Sequence, residues 1–365
     1  MQQILWKQTF SNYHNIKYNL DSKQYLRFHH NITGNQIQFE LTNQYDEVPL
    51  EIESLRVSHL PDFKDSVIVT LENSESFTIP ELSNICTDYI NFNLQAGVPI
   101  YIELLAHNKK NIINSLGSTL DTYLVKPASL SNNNESNFYF GISGINAKTT
   151  EKITIGFFGD SLTNQGYFSN KVSQQLYTSL PNNITTFNAG ISGNRLLLPG
   201  TSVSEWNKSF GNAGIERFHC DVLENNPDIV ISLIGINDLF HPGAGAPLED
   251  LPTIDKMISG IEKLRNDCLK RGVTYIPVTI TPFKGATNRG IYSWNNKKEQ
   301  IRLQFNQYLK SLPCCIDLAK EVADVNDPTL LNQAFDSGDH LHFSQKGGYH
   351  VGTFIYEQLQ HLLKI

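Results

Sequence analysis

Two structural classes follow one another along this chain: an all-β sandwich over residues 1–145, then an α/β domain with a parallel sheet over residues 146–365. Three observations predict this order. Apolar and polar residues alternate between residues 20 and 125. After Thr150, short apolar runs are separated by longer helical stretches. The length of 365 residues accommodates two domains, and 40% hydrophobic with 18% charged residues supplies a sizeable core.

The period-two runs are Ile37, Phe39 and Leu41; Val67, Val69 and Leu71; Ile90, Phe92 and Leu94; and Ile100, Ile102 and Leu104. Each places its apolar side chains on one face of a strand. Turn residues separate them at Thr33-Gly34-Asn35, Asn73-Ser74-Glu75, Ala96-Gly97 and Asn108-Lys109, the punctuation of an antiparallel sandwich. The polar stretch 129–137, SLSNNNESN, reads as a loop or linker, and a domain boundary is expected near it.

The second region opens with an apolar strand over 153–158. Phe168, Val172, Leu176 and Leu180 follow at the four-residue spacing of a helix face. Further strands are predicted at 184–188, 229–235, 274–280 and 315–318, and helices near 253–271, 295–309 and 347–363. Lys270, Arg271 and Gly272 mark a helix C-terminus, where basic side chains complement the dipole and glycine takes the left-handed cap.

Charge and composition exclude several classes of partner. The 29 basic and 36 acidic residues give a net charge of −7 without a long block of either sign, so neither nucleic acid nor another polyanion is an expected partner. The apolar runs fall far below the roughly 18 residues that span a bilayer. The opening residues hold no apolar signal core, and a cytoplasmic location is the simple expectation. Five cysteines at scattered spacings read as reduced, mostly core thiols. With no CxxC and no HExxH, neither a metal nor a cofactor is expected.

In open parallel sheets, ligands bind beyond the carboxyl ends of the strands. Four predicted strand ends carry reactive or hydrogen-bonding groups: Gly159-Asp160-Ser161-Leu162, then residues 188–194 (NAGISGN), Gly235-Ile236-Asn237-Asp238, and, after a loop, residues 336–342 (DSGDHLH). A serine, a carboxylate and a histidine thus converge on one edge, the set needed for acyl transfer. Ser161 is the candidate nucleophile, His342 the base and Asp339, three residues before it, the group that orients the ring. The backbone amides of Ser161 and Gly193 with the Asn237 side-chain amide are the candidate oxyanion donors.

The segments FFGDSLTNQG, NAGISGNR, LIGIND and DSGDHLHFS resemble the four blocks of the SGNH, or GDSL-type, esterase and acylhydrolase superfamily, in the same order. GNAGIERFHCDVL and residues 279–286 are similar to a subgroup with an N-terminal, jelly-roll-like β-sandwich domain. The resemblance implies a flavodoxin-like three-layer sandwich with the residue roles just given. It spans residues 153–350 and is much weaker over residues 20–125. No G-x-S-x-G pentapeptide and no G-x-G-x-x-G after a strand occur, which argues against an ordinary α/β-hydrolase elbow and a dinucleotide fold.

Plainer roles compete at each position. Ser161 could cap a helix, Asp160 could bond loop amides, Asn237 could be a turn residue, and Gly190 and Gly193 could both be turn glycines. His340 competes with His342, although an extended segment would point the two apart. Arg195 and Asp238 either bind substrate or brace loops. Trp206, Phe210, His241, Phe283 and Trp294 either wall a pocket or pack beneath the fold. The expected function is a serine esterase acting on a small-molecule carboxylic ester, with acylated carbohydrate as one substrate class. A catalytically degenerate glycan-binding protein, an acyltransferase and a lysophospholipase are the alternatives. Oligomeric state is not legible.

Overall fold

In the computed structural model, all residues are described except 21–22, 129–136, 201–203 and 364–365; the predicted linker therefore lies almost wholly outside the described residues. The contacts divide the chain into two compact units, Met1–Thr154 with Leu176–Phe187, and Ile155–Gln175 with Asn188–Ile365.

The first unit is built from antiparallel strands. One sheet runs Gln2–Lys7, Ile142–Lys148, Gly34–Thr42 and Ile90–Leu94, with Asn84–Cys86 also pairing Gly34–Thr42. The other runs Val125–Ala128, Gln24–Phe28, Ile100–His107, Leu50–Ser58 and Val67–Ile68, with Phe77–Ile79 also pairing Leu50–Ser58. The alternation read from the sequence is the burial pattern: Ile37, Phe39 and Leu41 are fully buried, and so are Ile102, Leu104, Leu55 and Val57. Trp6 of the first sheet meets Phe28 of the second edge-on at 4.5 Å between ring centroids, so their inner faces form one core. The run at Val67, Val69 and Leu71 gives only the short strand Val67–Ile68, because the chain turns back at Leu71 and Ser74. The expected boundary at residue 145 falls inside Ile142–Lys148. That strand pairs with both Gln2–Lys7 and Gly34–Thr42, so its residues belong to the sandwich.

The α/β sheet has the order Ile184–Gly190, Ile153–Gly159, Ile229–Leu233, Thr274–Pro277. The last three pair in parallel. The chain moves from the second-listed strand to one side and then returns to the other, creating a switch point at the carboxyl ends where ligands bind in doubly wound folds. The fifth predicted strand is reduced to a parallel bridge between Val278 and Ile316. Asp317 leaves the extended region there and the short helix Leu318–Val322 begins directly after it, which cuts the strand short.

Helices Ile254–Leu269 and Asn296–Lys310 start where side chains satisfy otherwise free amides: Thr253 accepts from Lys256 and Asn295 accepts from Lys298. The last helix spans Gln345–Leu363, two residues earlier than its predicted start. All five cysteines are free, as expected, but only Cys268 is buried; Cys86 and Cys220 are exposed, so the thiols are not mostly core.

Candidate active site

The strand Ile153–Gly159 ends in a one-turn helix, Ser161–Asn164. Its cap is Asp160, whose Oδ1 accepts from the Leu162 amide at 3.1 Å. The capping role that Ser161 could have filled is thus taken by its neighbour. Ser161 Oγ instead lies 2.8 Å from His342 Nε2. On the far side of the ring, Nδ1 lies 2.6 Å from Asp339 Oδ2. Residues separated by 181 positions in sequence are therefore joined in one chain of bonds.

Two overlapping turns shape the segment that carries His342. Asp336 Oδ1 accepts from the amides of Gly338 and His340 at 2.7 and 3.0 Å. Asp339 Oδ1 accepts from the amides of Leu341 and His342 at 3.0 and 2.8 Å, and from Ser337 Oγ at 3.0 Å. The segment is thus a tight turn with His340 at a φ of 62°, not the extended run predicted. Asx turns favour this geometry because a short carboxylate can reach amides two and three residues on. His340 is directed to Asp336, 2.8 Å away, and takes no part in the Ser161 pair.

Partial burial pushes the Asp339 carboxyl up. The bond from the His342 ring, its charge and the two amides outweigh that effect and hold the group well below the usual carboxylate range. Asp339 therefore stays ionised and fixes which ring nitrogen carries the hydrogen. Burial has the opposite outcome at Asp160, which rises to about 7 despite the Leu162 amide and the nearby His342 charge. Its second oxygen is buried without a hydrogen-bond partner.

The loop following Ile184–Gly190 is tied to its neighbours on both sides. Asn164 donates to the Gly190 carbonyl at 3.2 Å and accepts from Ser192 Oγ at 3.0 Å, joining the loop to the helix of Ser161. Asn237 Nδ2, in the first turn of the helix Ile236–Phe240, donates to the Asn194 carbonyl at 3.0 Å. Gly193, just before Asn194, has a φ of 74°, and a Cβ there would stand 2.2 Å from the Phe210 ring. Only glycine meets both conditions without displacing that ring. Gly190 approaches the Asn164 amide, where a Cβ would lie at 2.4 Å, so it is a close-packing position rather than a simple turn glycine.

Asp238 accepts from the amides of Leu196 and Leu197 at 2.6 and 2.9 Å, and buried Arg195 reaches Asp250 at 2.9 Å and the Pro199 carbonyl at 2.6 Å. Both are braces for this loop. His241 lies between Phe210 and Phe240, with ring centroids 5.2 and 5.4 Å away. Phe283 is fully buried, and Trp294 bonds Glu299 at 3.2 Å.

Sequence reasoning overlooked Arg217. From the helix Gly214–Asp221 its guanidinium donates to the carbonyls of Gly159 and Ala189 at 2.8 and 2.9 Å, to Asn194 Oδ1 at 2.9 Å and to Asp221 at 2.8 Å. It also sits 4.5 Å above the Phe158 ring. One side chain thereby links the ends of two strands and the Gly193 loop. In the folded helix it shares the buried face with Gly214 and Phe218, where a charge requires partners, a placement that the local sequence does not signal.

Among the described residues, no helix is long and apolar enough to cross a membrane, and no three His, Cys, Asp or Glu side chains group to hold a metal ion.

The model of the GDSL-like lipase/acylhydrolase family matches residues 157–348, more than half the chain and all four motif segments, so the chain belongs to that family and is an ester-bond hydrolase. Similar solved structures include the acetyl xylan esterase AlAXEase, 20% identical, covering 56% of this chain and 98% of that one with a TM-score of 0.42. A GDSL-like lipase from Bacteroides thetaiotaomicron is 17% identical, covering 58% of this chain and 88% of that one with a TM-score of 0.41. An acetyl xylan esterase from Geobacillus stearothermophilus is 20% identical, covering 57% of this chain and 94% of that one with a TM-score of 0.40. No curated protein matches the sequence.

Proposed function

We propose that the chain cleaves carboxylic esters through an acyl-serine intermediate, with Ser161, His342 and Asp339 as its catalytic triad. The observation that carries this reading is the continuous hydrogen-bonded path from Ser161 Oγ through His342 to Asp339, at 2.8 and 2.6 Å. His342 Nε2 takes the serine proton as Oγ bonds to the ester carbonyl carbon, and the ionised Asp339 holds the other ring hydrogen on Nδ1. The carbonyl oxygen becomes an oxyanion. The amides of Ser161 and Gly193 and the second Nδ2 hydrogen of Asn237 are its donors; Asn237 spends only one on Asn194.

When the carbonyl re-forms, the C–O bond to the alcohol breaks and His342 returns the proton to that oxygen. A water molecule then gives its proton to His342 and attacks the acyl carbon, releasing the acid and restoring Ser161. The proposed substrates are acylated carbohydrates, an assignment resting on analogy with catalytic domains that stand beside a β-sandwich.

The test is hydrolysis of p-nitrophenyl acetate and a panel of acetylated sugars and longer-chain esters, by the wild type and Ser161→Ala. Loss of about 10⁵-fold or more in kcat for the variant, with its fold intact, is the expected result. Equal rates would reject the nucleophile. A preference for long-chain lipid esters over acetylated sugars would reject the substrate class alone.

A further inference from the structure

The six-stranded sheet of the first unit carries a groove of about 650 Å³ on its outer face, within the size range of small-ligand sites. The strand register shows how it is assembled. Lys126 stands opposite Arg27, and Arg27 opposite Tyr101. One row along, Tyr25 stands opposite Glu103, and Glu103 opposite Arg56. Strands about 4.8 Å apart set each row abreast and make a rigid floor of aromatic and charged groups.

A loop forms one wall. Phe63, at a φ of 57°, is in the left-handed region that a bulky residue avoids. Its ring meets Tyr25 edge-on at 5.7 Å, with the Arg56 guanidinium 5.9 Å from its centroid. Asp65 fixes the loop by bonding Ser58 and the His59 ring.

Charge in the groove is unequal. Glu103 is buried and already saturated by Arg56, by Lys23 at 3.2 Å and by the Tyr25 hydroxyl at 2.8 Å. Asp62 is paired with Lys64 at 2.8 Å. Among the described residues, Arg27 donates only to the carbonyls of Thr122 and Tyr123, and its buried Nε–H has no acceptor. Lys126 has no carboxylate partner among the described residues. Among the described residues, two cations therefore line the same aromatic-walled space without a carboxylate partner of their own.

The two inner floor strands leave no backbone for a peptide to join. Ile100–His107 is paired on both sides, and Gln24–Phe28 is flanked by Ile100–His107 and Val125–Ala128. Over the Tyr101 and Tyr25 rows, strand addition, the usual source of peptide affinity on a sheet, is thus closed; the edge of the sheet on this side is Val125–Ala128. Recognition must come from side chains: flat rings for an apolar ring face and cations for a carboxylate.

We propose that this groove binds an acidic saccharide, its carboxylate held by Arg27 and Lys126 and its pyranose ring packed against Tyr101 and the Tyr25–Phe63 pair. The proposal is independent of the esterase reading, since every residue lies in the first unit.

The experiment is calorimetric titration of the full chain with an oligogalacturonide, an uncharged oligosaccharide of the same length and an oligoglutamate of the same charge. The acidic saccharide should bind best, and added salt should weaken it. Lys126→Ala and Tyr101→Ala should each lower its affinity about tenfold with p-nitrophenyl acetate hydrolysis unchanged, as side chains at a binding surface do. Ser161→Ala should bind like the wild type, so that loss of catalysis and loss of the groove are read separately. Equal binding of charged and uncharged sugars, oligoglutamate binding as tightly, or no change in the Tyr101→Ala variant, shown to be folded by its thermal melt, would overturn the proposal.

Discussion

Replacing Asp339 by asparagine tests the histidine geometry more sharply than deleting the side chain. Asp339 Oδ1 receives Ser337 Oγ and the amides of Leu341 and His342 at 3.0, 3.0 and 2.8 Å. In the variant this crowd of donors keeps the amide oxygen on that side, so the –NH₂ group must face His342 Nδ1. A donor there forces the ring hydrogen onto Nε2, against Ser161, where it blocks proton removal. Such a wrong tautomer costs about 10⁴-fold in other serine triads, or about 5.4 kcal/mol of barrier. Because the turn bonds survive, stability should change by no more than about 1 kcal/mol. Alanine should be milder, with a loss of about 10²-fold, since the Asp339 side chain is 51% exposed and water can accept from Nδ1 in its place. The assay is kcat/KM for p-nitrophenyl acetate in both variants, with urea unfolding alongside. An asparagine variant within tenfold of the wild type, or one more active than the alanine variant, would refute the reasoning.

Three further outcomes follow from the same geometry. Asn237→Ala should lower kcat by about 10²- to 10³-fold with little change in KM, because its donor acts on charge that develops in the transition state; steady-state kinetics checks this. Arg217→Met leaves the Gly159 and Ala189 carbonyls, Asn194 and Asp221 without a buried cation, and should destabilise the protein by about 3–5 kcal/mol, read from the urea midpoint. Asp160→Asn concerns pH. Burial raises this carboxyl from 3.8 to about 7, so the stability of the wild type is highest below pH 4, where the group is neutral, and is lost as pH rises to 7 and the buried carboxyl ionises. The stability of the variant relative to wild type should therefore climb across that window by on the order of 4 kcal/mol, since the Leu162 bond persists in both. A pH-independent difference in unfolding free energy would contradict it.

The sequence made most of this arrangement legible, for a physical reason. Ser161, Gly193 and Asn237 stand at or just past the ends of apolar runs, and a parallel sheet brings such ends to one edge; Asp339 and His342 come only after a long loop and were marked by their three-residue spacing. Ser161 and His342 could thus be paired across 181 positions. What escaped depends on distances that no local pattern records. Arg217 works through carbonyls on two strands, and carbonyls are the same in every residue. The turn that aims His342 away from His340 arises from Asp336 and Asp339 bonding backbone amides, whereas the sequence reading separated the two rings by assuming an extended segment. The strand expected at 315–318 had the right composition but gave way to the helix Leu318–Val322 after a single bridge. In the first unit, alternation located the buried faces well. It could not show that Ile142–Lys148 closes the first sheet, because pairing partners lie over a hundred residues away.

The central claim is that one serine oxygen carries the acyl group during turnover. Incubation with an organofluorophosphonate, followed by peptide mass spectrometry, tests it most directly. One label per chain is expected, on Ser161, formed far more slowly in His342→Ala and absent in Ser161→Ala. Label on another residue, or none in an enzyme that still turns over ester, would contradict it.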